Sequence, residues 1–365
     1  MFSISSKKTS FMNIHSFING PSSDLPLTPE HGGPILYMDI RNDTIVTCST
    51  DHGARVYNLN SGKQIKELYT KKFGHVEWVS CAKILNNNRI LTGGMDSKIC
   101  YWDSGQVRCI DLTEHQGSIS KIMTDSNDPN ESIFISSSYD TTIRIYNTVS
   151  AQNVGVLKAV HKKPVTEFNF TNSILASIDR DGYFSIWDIN RQSSVLSKQL
   201  HHGQCGNIEF YSEENNNLIV TTGINDGLLN AIDLRSGKLV CNKQIHKGAI
   251  NMLKISPLNN LIFTGSADKT IKVFDVKSIM NNNLKEIAVM KSTDAVFCGD
   301  LFESSYLVTG CGDGNILGYD LNKMDCVWGY GVEKQGGVRC IQIIPEKNRI
   351  VSAGDSGQGI EVLFD

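Results

Sequence analysis

Residues Leu261–Val276 read LIFTGSADKTIKVFDV. Two runs of alternating apolar residues flank a tight polar turn, the pattern of a β-hairpin. Within it Thr264, Asp268, Phe274 and Asp275 stand at offsets of zero, four, ten and eleven. The same offsets return at Thr47, Asp51, Tyr57 and Asn58, and at Thr92, Asp96, Trp102 and Asp103. They recur at Ser136, Asp140, Tyr146 and Asn147, then at Ser177, Asp181, Trp187 and Asp188. Thr222, Asp226, Ile232 and Asp233 make a further copy, as do Thr309, Asp313, Tyr319 and Asp320. An eighth copy is degenerate. Ser352 takes the hydroxyl place, Asp355 comes one residue early, and the strand around Ile360 to Phe364 carries an apparent extra residue.

Each hairpin is preceded by another strand. Apolar residues fall four, seven and nine places after a His: Ile35, Met38 and Ile40 after His31, or Val165, Phe168 and Phe170 after His161. A more polar fourth strand follows, as in Lys63 to Tyr69 or Lys238 to Gln244. Eight triplets of inner strands are legible, with seven fourth strands between them. The missing outer strand is expected from the N-terminus at Phe11 to Phe17, which would leave no open sheet edge. Gly20 to Pro29 holds three prolines and reads as a connector.

The aromatic positions recur every 41 to 45 residues, with a Gly-His mark at Gly74-His75 and Trp-Asp marks at Trp102-Asp103 and Trp187-Asp188. In this the chain resembles the WD-repeat β-propeller family. The resemblance implies an all-β fold: a closed propeller of four-stranded antiparallel blades, eight in number with seven as the alternative. A single domain is expected over residues 1–365, with an N-terminal tail and closing strand in 1–30 and the repeats in 31–365. It also implies a buried hydrogen-bonded chain in each blade, complete at His75, Thr92, Asp96 and Trp102 and again at His161, Ser177, Asp181 and Trp187. Tyr57 and Tyr146 would substitute in part through their hydroxyls. Ser292 and Lys334 replace the His in the last two units.

A Ser-His-Asp set invites a catalytic reading. An enzyme needs one activated constellation, whereas a set repeated around a ring fits a scaffold, so no enzyme and no cofactor are expected. The net charge of −3 over 365 residues gives no basic footprint for nucleic acid. The ten cysteines show no framework spacing, and neither a signal-peptide core nor a run of about 18 apolar residues is present. A cytoplasmic or nuclear protein, neither secreted nor inserted in a membrane, is the expectation. His201, His202 and Cys205 lack a fourth ligand at a zinc spacing, so no metal is expected. Gly310-Cys311-Gly312-Asp313-Gly314 sits in a turn with no helix following, which fails the context of a phosphate loop.

Function is expected where the repeat is broken on the face bearing the His and Asp loops. Trp78 stands where other units have Pro34, Ser118, Pro164, Gln204 or Ala249. The residue before the turn Asp is large at Met95, Tyr139 and Arg180 and smaller at Thr50, Asn225, Ala267 and Gly312. Arg339 lies just inside the eighth first strand. These five are the candidate contacts for partner proteins or peptides. Arginines near one mouth are similar to the F-box/WD-repeat receptors, which grip phosphopeptides, and Asp233-Leu234-Arg235 matches a cullin-adaptor docking motif of the family. The leading expectation is a non-catalytic scaffold; the alternatives are a ubiquitin-ligase substrate receptor and, after it, a propeller enzyme or small-ligand binder.

Overall fold

The computed structural model describes residues 14–70, 72–103, 108–125, 127–213, 216–279, 283–302 and 304–365. They form eight four-stranded antiparallel sheets arranged as a closed β-propeller. Blades one to seven each take four consecutive strands: blade two, for example, is Val79–Ile84, Ile90–Gly94, Ile99–Trp102 and Cys109–Leu112. Blade eight takes Val338–Ile344, Arg349–Gly354 and Gly359–Leu363 from the end of the chain.

Its fourth strand comes from the N-terminus, but from Ser23–Pro26. Ser23 pairs with Leu363 and Pro26 with Ile360. This corrects the expected position at Phe11 to Phe17. Residues 11–13 lie outside the described residues, and Ile14–Asn19 is a helix. Ile14, Phe17 and Ile18 have the i, i+3, i+4 spacing of a helical face, which wins over the imperfect alternation. Gly20, at φ +86, ends the helix. The prolines that suggested a connector are compatible with an edge strand: Leu27 donates to Gly359 O, so the missing amide of Pro26 falls on the open side of the ladder.

The helix adds a hydrophobic plug. Phe17 is fully buried, with ring centroids 4.6 Å from Tyr306, 5.4 Å from Trp328, 5.9 Å from Phe364 and 6.1 Å from Phe302. It thus joins blade seven to blade eight. Thr28, just past the closing strand, exchanges backbone bonds with Gly62 and Gln64 of blade one. One N-terminal segment therefore ties three blades.

The apolar core lies between blades. Val46, Cys48, Val56 and Leu68 of blade one pack with Val79, Ala82, Ile84 and Trp102 of blade two, and similar clusters follow around the ring. Every first strand carries a one-residue register break near its start, as between Val79 and Cys81 or Val338 and Cys340. Side chains at or beside these bulges reach the next blade. Ser80 Oγ donates to Ile119 O (2.6 Å), Ser120 Oγ to Val165 O (2.7 Å), Asn207 Nδ2 to Asn251 O and Asn251 Nδ2 to Val296 O (both 2.9 Å). At Gly206 the next blade comes so close that a Cβ would stand 2.3 Å from Ile250 O.

Candidate partner-binding face

The turn between the second and third strands of each blade is fixed by a left-handed residue: His52, Ser97, Thr141, Gly182, Gly227, Lys269, Gly314 and Gly357. In six blades a buried His docks this turn onto the loop before the first strand. His75 Nδ1 lies 2.8 Å from Asp96 and its Nε2 2.9 Å from Thr92 Oγ1, to which Trp102 Nε1 donates at 3.0 Å. Asp96 also accepts from Val76 N. His31 with Asp51 and Thr47, His115 with Asp140 and Ser136, and His246 with Asp268 and Thr264 repeat the arrangement. Burial opposes ionisation of these carboxyls, but the His rings and backbone amides outweigh it and hold Asp51, Asp96, Asp140, Asp226 and Asp268 below the usual range. Thr47, Thr92, Ser136, Ser177 and Thr264 are fully buried, so their hydroxyls serve the network and have no face open to a substrate.

Several positions differ from the sequence reading. In blade four His161 pairs with Asp179 (3.3 Å) and Ser177 (2.7 Å), not with Asp181, while Trp187 Nε1 donates to Ser177 at 2.8 Å. Asp179 fills the place where blades one, three and six carry Ser49, Ser138 and Ser266, whose hydroxyls accept the amide of the turn Asp. The longer carboxylate does both jobs: one oxygen accepts from Asp181 N and Tyr183 N and the other meets His161. Asp181 is left exposed, 3.8 Å from Lys163. In blade five His201 bonds Thr221 and not Thr222, because the turn before Asp226 is one residue longer. Tyr57 and Tyr146 send their hydroxyls to Pro29 O and Glu114, beside the His.

Asp355 is a further correction. Gly357 marks Ser356 as the equivalent of the turn Asp, so Asp355 is one place earlier, on the outer surface of the face. There it accepts two bonds from Arg339, at 2.8 and 3.1 Å, and the Arg339 guanidinium lies 4.4 Å from the Phe297 ring centroid. Val362, opposite Ile350, takes the aromatic place without any extra residue.

A second recurring bond defines the face itself. The residue before the turn donates its amide to the carbonyl of the residue before the first strand in all eight blades. The pairs run Thr50–Pro34, Met95–Trp78, Tyr139–Ser118, Arg180–Pro164, Ile224–Gln204, Ala267–Ala249, Gly312–Ala295 and Asp355–Gly337. Ile224, not Asn225, is thus the blade-five member. Ser118 Oγ also donates to Met95 O at 3.2 Å, which links the pair in blade two to that in blade three. Trp78, Met95 and Tyr139 are 44, 40 and 44% exposed, and neighbouring Val76 is 73% exposed. Arg180 follows on blade four, also exposed. Elsewhere Ile65, Ile110, Val154 and Val195 are exposed on outer strands of four different blades.

Among the described residues, no helix is long and apolar enough to cross a membrane. The profile for the WD domain, G-beta repeat, matches residues 63–103, 106–147 and 237–275. The DENN domain and WD repeat-containing protein SCD1 of Arabidopsis thaliana is 27% identical over 58% of this chain and 17% of its own length. The ribosome biogenesis protein WDR12 homolog of Anopheles gambiae is 25% identical over 67% of this chain and 62% of its own. The chain therefore spans less than two thirds of either relative. Chaetomium thermophilum Sqt1, solved bound to the N-terminus of ribosomal protein L10, superposes with a TM-score of 0.78 at 16% identity, covering 91% of this chain and 97% of that one. Three matched repeats, eight blades and the relatives point the same way: this chain is an eight-bladed β-propeller similar to the WD-repeat proteins.

Proposed function

We propose that the chain is a non-catalytic interaction scaffold that receives a partner protein or peptide on the quarter of the face spanning blades two to four. The observation that carries this is the contiguous exposure of Val76, Trp78, Met95 and Tyr139, linked through Ser118. None of these side chains is needed to build a blade, since the same positions hold Ala, Gly or Pro elsewhere in the ring. Exposed Trp and Tyr with an Arg at the border have the composition of binding hot spots. The partner should present an apolar side chain to Trp78 and Met95 and an acidic group to Arg180. Arg339 is left out of the contact because Asp355 already matches its charge and Phe297 its planar face. A cytoplasmic or nuclear setting goes with this reading.

The ligase-receptor alternative gains no support. Asp233 of the Asp-x-Arg triplet is turned back on its own loop, accepting from Ser236 Oγ and Arg235 N. The binding face is tested with a photo-crosslinking phenylalanine analogue placed at Tyr139 and, on the opposite face, at Leu258, an 82% exposed residue. A defined crosslinked partner from Tyr139 and none from Leu258 is expected. The reverse pattern would move the binding surface to the other side of the ring.

A further inference from the structure

The outer half of blade two brings together residues that the sequence keeps apart. Cys100 lies on the third strand and Cys109 and Asp111 on the fourth, with Cys100 directly opposite Asp111. Side chains alternate along a strand, so Cys109 and Asp111, two apart, share one face with Cys100. The two thiol sulfurs and a carboxylate oxygen lie within 4.8 Å of one another. Asp111 Oδ1 receives both thiols, at 3.6 Å from Cys100 Sγ and 3.1 Å from Cys109 Sγ. Its other oxygen, Oδ2, is 3.0 Å from Lys98 Nζ. Cys100 is buried, while Cys109 is half-buried and Asp111 exposed, so the group opens to solvent on one side.

We propose that Cys100, Cys109 and Asp111 form a site for a borderline-soft divalent cation of the zinc type, with solvent in the fourth position. Two thiolates and a carboxylate are a donor set for such an ion, and a hard cation such as Mg²⁺ or Ca²⁺ would not select it. The two sulfur–oxygen spacings fit such an ion. Metal–sulfur and metal–oxygen bonds of about 2.3 and 2.0 Å at a tetrahedral angle put sulfur and oxygen about 3.5 Å apart, close to the two distances found. Binding releases both thiol protons to solvent. The two thiolates and the carboxylate then exceed the charge of the cation by one, and the Lys98 ammonium neutralises that excess from the outer oxygen. The other eight cysteines are on other strands, and of these Cys48 shares the apolar cluster that holds Cys100.

The test uses the full chain, reduced with a phosphine under argon, and cobalt(II) as the probe. One equivalent should bind with a thiolate-to-cobalt charge-transfer band and the visible bands of a tetrahedral ion, and one equivalent of zinc should displace it. Cys109→Ser should abolish the band. Asp111→Asn should keep it but weaken cobalt affinity about ten-fold or more. Cys326→Ser, at an exposed cysteine of blade seven, should change nothing. Cys109 is half-buried, so its variant is expected to fold, and far-ultraviolet circular dichroism checks this. The proposal is overturned if the reduced chain gives no charge-transfer band or if the band survives in Cys109→Ser. It is equally overturned if Cys100 and Cys109 simply oxidise to a disulfide and the reduced pair ignores both metals.

Discussion

In blade two a buried chain of hydrogen bonds runs from Asp96 through His75 and Thr92 to Trp102. In blade eight the same four places hold Ser356, Lys334, Ser352 and Val362, from which that chain cannot be built. Blade eight is held by other means. Arg339 clamps Asp355, Ser356 N donates to Glu333, the closing strand pairs along Gly359–Leu363, and Phe17 packs against Phe364. The outward surfaces differ in step: blade two presents Trp78 and Met95, whereas blade eight presents Gly337 and the neutralised Asp355. What all eight turns share is the αL residue and the backbone bond that precedes it, and the side chains around them are free to serve stability or recognition.

The sharpest way to break this comparison is at Phe17. Removing a fully buried ring from an aromatic cluster costs about 3–5 kcal/mol, so Phe17→Ala should lower the denaturation midpoint by far more than any surface change. A loss under about 1 kcal/mol, near the low end for any point mutation, would show that the helix does not secure blades seven and eight.

The next effect separates two aspartates in one turn. Asp179→Ala leaves His161 and the amides of Asp181 and Tyr183 without their acceptor, at a cost of about 1–3 kcal/mol or more. Asp181→Ala removes only an exposed pair with Lys163 and should change stability by less than about 0.5 kcal/mol. Equal losses in thermal denaturation would return the network role to Asp181.

The two regions should also respond oppositely to pH. The network aspartates have depressed pKa values, so their stabilisation is present above the unfolded value and is lost as pH falls through the folded ones. His246, lowered mainly by burial, acts in the same direction: its contribution is lost as pH falls below the ordinary His range. In blade eight burial outweighs Arg349 and raises Glu361 to about 7. A raised carboxyl stabilises the fold at low pH and loses that contribution as pH climbs from the unfolded value, about 4.5, to about 7. Hydrogen exchange, corrected for its intrinsic pH dependence, should show the third strand of blade eight opening more readily at pH 7.5 than at pH 5.5. The second strand of blade six, which carries Thr264, should show the reverse. A common trend in both strands would contradict this assignment.

Most of the ring was legible because the Ser/Thr-to-aromatic offset depends on a turn of fixed length. The misses fall where that length or that chemistry changes. One added residue moved the hydroxyl to Thr221, and Asp179 did from the strand end what other blades do from the turn. Asp355 kept the chemistry of the motif but not its place. The closing strand was hidden by prolines that an outer edge tolerates, and three apolar residues at helical spacing imitated a strand. On the face, Trp78, Met95, Tyr139 and Arg180 stood out as departures from the repeat. That Arg339 is matched by Asp355 was beyond sequence reading, since the motif had assigned Asp355 to another role.

The proposed recognition surface on blades two to four is open to a direct test. Quantitative affinity purification should compare the wild type, a Trp78→Ala/Arg180→Ala double variant and Leu258→Ser on the opposite face, all with unchanged circular dichroism. Losing two hot-spot contacts of at least about 1 kcal/mol each lowers affinity by more than ten-fold. Stoichiometric partners of the wild type should persist with Leu258→Ser and fall about ten-fold or more with the double variant. Full recovery by the double variant, with loss in Leu258→Ser, would contradict it.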